Sequence, residues 1–269
     1  MNRRLWLFLL TLTACVSVVI YYLVGDTYTL SVKIPSSPSE EHHPTSTATL
    51  KPTTSSGPSM PAAMNNPATY CEQRLRDVKA DPSTWQNPEA WLAEFALAPD
   101  DSMRTEVVAL ARQVDARFFV ALLPRALEVE SLNLRLSAAR DIGLLPESLL
   151  PVAVSMGVAA SDGEIRKEVL NVAANALPTL RPTLLGTALR ASPFPDTRLE
   201  SAKLLMDRPD HPSFEALLAG LDDSAPDVRE WIQKTVEKQV GQRFGSAAVA
   251  QSWWNANRTR FDAMMLEIP

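Results

Sequence analysis

The sequence predicts an all-α protein, in which an α-solenoid of about five helical hairpins follows a single transmembrane helix and a disordered linker. Three observations predict this fold: an uncharged run near the N-terminus, a segment rich in Pro, Ser and Thr, and an arginine-centred pattern that recurs about every 31 residues. These features divide the 269 residues into segments 1–25, 26–69 and 70–269. Only the third segment combines regularly spaced apolar and charged residues, so it is the predicted folded domain.

The first segment has the features of a membrane anchor. Residues 5–24 carry no charge and follow Arg3 and Arg4. A helix of about twenty residues spans roughly 30 Å, which is the thickness of a hydrocarbon core. Since positive residues precede the run and Asp26 follows it, the N-terminus is expected in the cytoplasm and the rest of the chain outside. We therefore expect a single-pass protein of the inner (plasma) membrane with a periplasmic or extracytoplasmic C-terminal domain.

Two other interpretations of this segment compete with an uncleaved anchor. A cleaved secretory signal is disfavoured because the apolar run continues through Tyr22. The sequence Leu12–Cys15 (LTAC) resembles the lipidation motif of bacterial lipoproteins, in which Cys15 would carry the lipid. The apolar run after Cys15 favours the uncleaved anchor over this alternative. All but the cleaved signal predict attachment to a membrane.

The second segment has the composition of a tether. Residues 35–67 contain seven Pro and twelve Ser or Thr and have few side chains to bury. Such a segment cannot offset the entropy lost on ordering, so it is expected to stay disordered. A coil of about 40 residues has a root-mean-square span of roughly 35 Å. The folded domain is therefore expected to work at some distance from the bilayer.

The third segment contains a repeat that is centred on arginine. Five arginines follow one another at spacings of 31, 31, 32 and 31 residues, and most residues three, four and seven places after each are apolar or small. That spacing is the buried stripe of an α-helix. A second apolar stretch separates successive arginine helices, so the unit is a helical hairpin, and stacked hairpins form an α-solenoid. The repeat arginines are Arg104, Arg135, Arg166, Arg198 and Arg229. The intervening apolar helices are predicted at Trp91–Ala98, Ala116–Leu127, Ser148–Ala159, Pro182–Arg190 and Pro212–Leu221.

Two of these units resemble a known family. Asp222–Arg229 (DDSAPDVR) and Arg135–Gly143 (RLSAARDIG) are similar to the short HEAT-like repeat of PBS-lyase type, whose second helix begins D-x-x-V-R-x-x-A-A. The resemblance covers about residues 85–240 and suggests a bacterial, membrane-anchored HEAT-repeat protein. It implies that the repeat arginines are structural, since Asp and Arg of successive repeats pair in an internal ladder. By this analogy Asp196 with Arg198, and Asp227 with Arg229, are scaffold residues.

The two ends of the domain depart from the repeat. Gly241–Pro269 carries Trp253, Trp254 and Phe261, and terminal repeats must cover the last apolar face. We expect these aromatic residues to form a C-terminal cap, with an exposed aromatic binding patch as the alternative. The segment 70–85 is expected to cap the other end.

A candidate binding face lies on the arginine helices. In HEAT-like repeats the helix that begins D-x-x-V-R, which corresponds to the arginine helix here, generally lines the concave face that binds partners. Residues five and nine places after each repeat arginine point away from the buried stripe. Because several of these are basic, the face predicts an acidic or extended segment of another envelope protein as partner, with Trp231 as aromatic anchor; the alternative is an ordinary solvated face. The predicted binding face consists of Arg140, Asn171, Asn175, Lys203, Trp231, Lys234 and Lys238.

Composition argues against several other functions. A net charge of −5 and a pI near 5.3 argue against nucleic acid as the main ligand. Three His and two Cys are too few for a clustered metal site, and no glycine-rich phosphate loop or nucleophile-elbow motif is present. The sequence therefore predicts a non-catalytic protein-binding scaffold without metal or cofactor.

Two alternative functions depend on particular residues. Some HEAT-like proteins are lyases or chaperones that attach cofactors to partner proteins, and such an accessory enzyme would use Tyr70, Cys71 and His211. A glycan-binding or cell-wall-binding module would instead need Trp85, or the pair at 253 and 254, on the surface. The sequence leaves the identity of the partner and the oligomeric state open.

Overall fold

The computed structural model describes residues 67–268, and all regular secondary structure in this range is helical. The predicted all-α class is thus confirmed for this part of the chain, which belongs to one compact unit. The predicted anchor, with Cys15, and nearly all of the predicted linker lie outside the described residues. Within residues 67–268, none of the helices combines the length and the apolar character needed to cross a bilayer.

The described residues form twelve α-helices with short 3-10 turns between some of them. The α-helices are α1 Pro67–Ala80, α2 Pro88–Leu97, α3 Asp101–Val114, α4 Ala116–Ala126, α5 Leu132–Asp141, α6 Leu150–Gly157, α7 Gly163–Ala174, α8 Arg181–Ala191, α9 Pro195–Asp207, α10 His211–Leu218, α11 Pro226–Val240 and α12 Ala247–Asn257. The predicted intervening apolar helices correspond to α2, α4, α6, α8 and α10, and their observed ends differ from the predicted ones by up to three residues.

Short-range chemistry sets most of these ends. Asp100 and Asp162 accept hydrogen bonds from backbone amides in the first turns of α3 and α7. Pro195 and Pro226 begin α9 and α11, where a missing amide N–H costs nothing. Helix α11 ends at Gly241, whose φ of 70° lies in the left-handed region that glycine adopts without strain. Capping residues and prolines therefore separate the helices along the chain.

The helices pack in two layers. The repeat arginines lie on α3, α5, α7, α9 and α11, and each of these helices packs against the next one of the set; we call this set the arginine layer. The second layer consists of α2, α4, α6, α8, α10 and α12, which also pack in order. Neighbouring helices along the chain connect the layers, and α1 packs against α2 and α3. Most of the buried apolar residues form one core cluster that runs through both layers.

The buried stripe of the arginine helices is confirmed. All residues three, four and seven places after each repeat arginine are buried. One close approach between the layers depends on Gly157 of α6, because a Cβ there would lie 2.5 Å from Cγ2 of Val169 in α7. The polar members of the stripe find partners, as when Ser201 Oγ donates a hydrogen bond to the carbonyl of Leu185 at 2.6 Å. The period of the pattern therefore identifies the face that packs.

Aromatic residues cover the C-terminal end of the described helices. Trp254 of α12 is fully buried, and its ring centroid lies 4.8 Å from that of Phe214 in α10. Its indole N–H donates a hydrogen bond to Glu215 at 2.9 Å. Trp253 is half-buried, 5.4 Å from the ring of Phe244. Trp254 therefore packs in the core, and Trp253 packs against the rings of Phe244 and Phe261.

Candidate binding groove on the arginine layer

Three of the repeat arginines form ion pairs with an aspartate at or near the start of the next helix of the arginine layer. Arg135 reaches Asp162 at 2.9 Å, Arg166 reaches Asp196 at 3.1 Å, and Arg198 holds both oxygens of Asp223 at 2.8 and 2.9 Å. In each case the aspartate lies at or near the start of the next arginine helix. These three arginines therefore join neighbouring units of the described chain.

Within residues 67–268, the first and last repeat arginines form no ion pair with another helix of the arginine layer. Arg104 pairs with Asp101 of its own helix at 3.1 Å, and the N-cap of the next arginine helix, α5, is Ser131. Arg229 donates to the backbone carbonyl of Asp223 in the turn before its own helix. Asp227 is exposed, and no ion pair of it is found among the described residues. The ladder thus has three rungs.

In the ion pair between Arg198 and Asp223, the contacts within the pair favour the charged form of both groups. Burial opposes ionisation of Asp223, but hydrogen bonds from Arg198 and from the amide of Ala225, together with the charge of Arg198, outweigh it. The pKa of Asp223 consequently lies below its usual value. The hydrogen bond to Asp223 likewise raises the pKa of Arg198. Both groups are therefore charged over the whole physiological range.

The predicted binding face is exposed but less positive than its sequence suggests. All seven of its residues are exposed except Trp231, which is half-buried. Three of its four cations have acidic neighbours: Arg140 pairs with Glu168 at 2.9 Å, and Lys203 and Lys234 each pair with a glutamate of their own helix, at 3.4 and 2.6 Å. The sequence analysis missed these glutamates, which lie off the rows five and nine places after the repeat arginines. The face therefore offers little net charge to attract an acidic partner.

A pocket of about 490 Å³ brings three of the predicted residues together. Arg140, Asn171 and Asn175 all line it. The pocket lies at the C-terminal ends of α5 and α7, where the chain leads into α6 and α8. We call it the leucine pocket because of its apolar lining. Trp231 and the three predicted lysines do not line it, since they lie further along the layer on α9 and α11. The predicted face therefore divides into a pocket and an open surface.

Leucine side chains form most of the apolar surface of this pocket. Leu144 and Leu177 are both 61% exposed, whereas Leu145 and Leu150 are buried below them. Sequence reasoning did not select Leu177. The signal was present, because Leu177 directly precedes Pro178, and a large apolar residue in the turn after a helix has no helix face on which to be buried. Exposed leucines beside a pocket are typical of a surface that receives apolar groups.

Polar groups surround the apolar lining. The side-chain amide of Asn175 donates to the backbone carbonyl of Asn171 at 2.9 Å. The carboxamide of Asn171 has no hydrogen-bond partner within residues 67–268 and is exposed. A carboxamide both donates and accepts, as a peptide group does, so Asn171 can form a pair of hydrogen bonds with a peptide. The pocket thus combines apolar surface with an exposed carboxamide that forms no side-chain hydrogen bond among the described residues.

The residues predicted for an accessory enzyme lie on two different helices, α1 and α10. Cys71 is buried in α1 and donates to the carbonyl of Leu97 at 3.6 Å. Burial, together with the nearby charge of Glu94, raises the pKa of its thiol to about 11, which disfavours the nucleophilic thiolate. His211 begins α10 and packs edge-on against Trp254, with ring centroids 5.1 Å apart. Among the described helices, α1 packs mainly against α2 and α3, whereas α10 packs mainly against α8, α9 and α12.

The three tryptophans that a glycan-binding module would use are largely covered by protein. Trp85 and Trp254 are buried, and Trp253 is half-buried against Phe244 and Phe261. Stacking on a glycan needs an open aromatic face, which neither buried ring offers. Within residues 67–268 no cluster of His, Cys, Asp or Glu is suited to hold a metal ion.

Comparisons with known proteins add no relative to this description. No protein-family model, no curated protein and no solved structure matches the chain. The fold and the pocket therefore define the class only as a two-layer helical domain with a groove on its arginine layer.

Proposed function

We propose that this chain is a membrane-attached, non-catalytic scaffold that holds another protein of a bacterial envelope. Its folded part is an α-solenoid of about five HEAT-like hairpins, carried on the linker 26–69 and anchored by residues 5–24. The evenly spaced arginines, the two layers and the three cross-unit ion pairs support the solenoid. The uncharged N-terminal run behind two arginines supports the anchor and an extracytoplasmic location of the domain.

The leucine pocket is the observation that carries the binding function. It places two largely exposed leucines beside Arg140, Asn171 and Asn175, three residues that sequence spacing alone assigns to a binding face. Burying apolar side chains under a partner releases the water around them, which contributes about 25 cal/mol per Å². The partner is an extended segment of another protein that places an apolar side chain in this pocket. Charge attraction to an acidic segment is reduced, because three of the four cations of the face, Arg140, Lys203 and Lys234, are already paired.

Site-specific photo-crosslinking in cells tests this function. A photoreactive benzoyl-phenylalanine replaces Leu177 in the full chain, and in a matched control it replaces Val152, an exposed apolar residue of α6 in the second layer. We expect a defined protein adduct at position 177 and none at 152, because only the first lies at the pocket. The same adduct is expected to disappear when Leu144→Asp is added. Equal adducts at both positions, or none at 177, would contradict the proposal.

A further inference from the structure

Three large apolar side chains are exposed on a tight turn that follows α12. The turn, Arg260–Ile268, joins two short extended segments that pair in antiparallel fashion. Met264, Leu266 and Ile268 are 68%, 61% and 53% exposed, and we call these three residues the apolar tip. None of them lines the leucine pocket. Exposed apolar residues that lie close together mark a contact surface, and the structure of the turn indicates what it contacts.

The core holds this turn in a fixed conformation. Met265, in the middle of the apolar tip, is only 1% exposed and belongs to the main core cluster together with Phe261. Its φ of 63° lies in the left-handed region, which residues other than glycine adopt at some cost in free energy. Burial of the Met265 side chain offsets this cost, and the side-chain amide of Gln239 on α11 donates to its carbonyl at 2.6 Å. The exposed side chains on either side of Met265 therefore project from a fixed backbone.

The backbone amides of the apolar tip already have partners within the turn. The carboxylate of Asp262 accepts hydrogen bonds from the amides of Met264 and Leu266, at 2.9 and 2.8 Å. The amide of Met265 donates to the carbonyl of Asp262 at 3.0 Å, and the amide of Ile268 donates to a carbonyl of the opposite segment at 2.7 Å. Taking a polar group out of water costs least when the protein itself supplies its hydrogen bond. These amides can therefore enter an apolar medium without losing their partners.

Residues suited to the polar zone of a bilayer adjoin the apolar tip. Trp253 is half-buried beside the turn, and tryptophan is enriched where a membrane meets water. The side chains of Arg258 and Arg260 are 58% and 54% exposed, and long basic side chains can extend from apolar surroundings to the headgroups. The charges at the base of the turn balance, because Asp262 and Glu267 accompany the two arginines. The turn thus favours insertion of apolar side chains over attraction to anionic lipid.

A lipid surface fits the apolar tip better than a second protein does. A protein would need a cavity shaped to receive three side chains that project from one turn, whereas the acyl chains of a bilayer rearrange around them. The anchor proposed for residues 5–24 and the linker 26–69 keep the domain near a bilayer, since a coil of about 40 residues spans roughly 35 Å. Such a tether keeps lipid at a high effective concentration, so a small apolar surface is sufficient for binding.

We infer that the apolar tip is a second membrane contact, which inserts Met264, Leu266 and Ile268 into the surface of the bilayer. Apolar groups that bind in this way reach about 5–10 Å into the boundary between headgroups and acyl chains. The contact orients the domain on the membrane and is separate from the leucine pocket. It rests on the membrane attachment proposed above and does not depend on the binding of a partner protein.

Fluorescence quenching by lipids tests the inference on the full chain. Met264→Cys is labelled with an NBD fluorophore in a Cys15→Ser chain, in which the remaining thiol, Cys71, is buried. The protein is reconstituted in phosphatidylcholine vesicles that contain a lipid with a spin label near the headgroup end of its acyl chain. We expect a blue-shifted emission that the spin label quenches. NBD at Val152→Cys, an exposed position of the second layer, is the control and is expected to keep its intensity.

Substitutions inside and outside the apolar tip give the matched comparison. Leu266→Asp is expected to abolish the quenching at position 264, because an ionised carboxylate resists transfer out of water. Val249→Asp is expected to leave the quenching unchanged, because Val249 is 55% exposed but lies on α12, outside the turn. Replacing part of the phosphatidylcholine by phosphatidylglycerol should also have little effect, since the base of the turn has balanced charges. Circular dichroism checks that each variant keeps its helicity.

The outcomes separate the apolar tip from the membrane attachment beneath it. If the chain floats with the vesicles but NBD at position 264 is quenched no more than NBD at 152, the inference is overturned and the anchor stands. A blue shift without quenching by lipid would mean that protein covers the tip, which also overturns the inference. Quenching that requires phosphatidylglycerol, or that Val249→Asp abolishes equally, would overturn it as well. If the chain does not float with the vesicles, the inference and the proposed attachment both fail.

Discussion

The ion pair between Arg198 and Asp223 is the most buried rung of the ladder, with side-chain exposures of 9% and 6%. Asp223→Asn keeps the size of the side chain and an acceptor for the amide of Ala225, but removes the charge that balances Arg198. Leaving one member of a buried pair unpaired costs about 3–5 kcal/mol. We therefore expect Asp223→Asn to lower the free energy of unfolding by about 3 kcal/mol.

A second rung provides the internal comparison. Arg135 and Asp162 are 21% and 27% exposed and share one contact at 2.9 Å, so water screens them more strongly. Asp162→Asn is expected to cost about 1 kcal/mol. With a slope of about 2 kcal/mol per molar urea, the unfolding midpoint falls by about 1.5 M for Asp223→Asn and about 0.5 M for Asp162→Asn. Far-UV circular dichroism during urea titration measures both midpoints.

The origin of the cost can be tested by removing both charges. Arg198→Met combined with Asp223→Asn leaves no unpaired buried charge, so the double variant is expected to be more stable than Asp223→Asn alone. Equal midpoint shifts for the variants at positions 162 and 223, or a double variant no better than the single one, would refute this reasoning. The first result would mean that burial does not determine how much each ion pair stabilises the fold. The second would mean that the unpaired charge of Arg198 is not the source of the cost.

Further predictions concern acid, packing, thiol chemistry and the incomplete ladder. Folding lowers the pKa of Asp223, so this residue contributes stability above its unfolded pKa of about 3.9 and loses that contribution as the pH falls through the folded value. The free energy of unfolding of the wild-type chain should therefore fall more between pH 5 and pH 3 than that of Asp223→Asn. Urea titrations at each pH measure this difference. Gly157→Ala is expected to cost about 1–3 kcal/mol in the same assay, since the new Cβ would lie 2.5 Å from a methyl group of Val169. Cys71, with its pKa near 11, is expected to react with a disulfide reagent at pH 8 only on unfolding, in a Cys15→Ser chain. Ser131→Asp is expected to give the first repeat arginine its missing rung and to raise Tm by about 2–4 °C per kcal/mol gained, with a gain of up to about 1 kcal/mol.

Each of these predictions has a control. In the acid series, a parallel decline of both proteins would remove Asp223 as the cause. Gly245→Ala should be neutral, because nothing lies within 4 Å of a Cβ there; an equal loss at position 245 would remove the packing argument for Gly157. Fast labelling of Cys71 in the native chain would contradict its burial. Equal rises in Tm for Ser131→Asp and Ser131→Asn would mean that only helix capping is affected, and an unchanged Tm for Ser131→Asp would refute the added ion pair.

Residues that obey one helical period were predictable from the sequence. The stripe three, four and seven places after each repeat arginine, such as Val169, Leu170 and Ala173 after Arg166, depends only on the geometry of a single helix. Helix ends were less accurate where the last turn changes type. The stretch predicted as one helix to Leu221 ends as an α-helix at Leu218 and continues as a 3-10 turn to Asp222.

Features that depend on the packing of different helices were not predictable in the same way. Arg140 and Glu168 lie 28 residues apart, and their contact requires the relative position of α5 and α7. The exposure of Leu177 depends on where the chain turns after α7, which Pro178 marks but does not orient. The burial of Trp254 depends on α10, whose Phe214 and Glu215 meet its ring and its N–H. Local periodicity carries none of these distances.

The order of helix packing determines how the described domain would bear a mechanical load. Its principal helix contacts join elements one or two positions apart along the chain, so the first pair at either end is held by a single neighbouring pair. A pulling force would detach hairpins one after another from a terminus and would not break all of them at once. Release of a helix pair of about 30 residues would lengthen the chain by about 100 Å. A domain built in this way yields to tension in steps and keeps its remaining units intact.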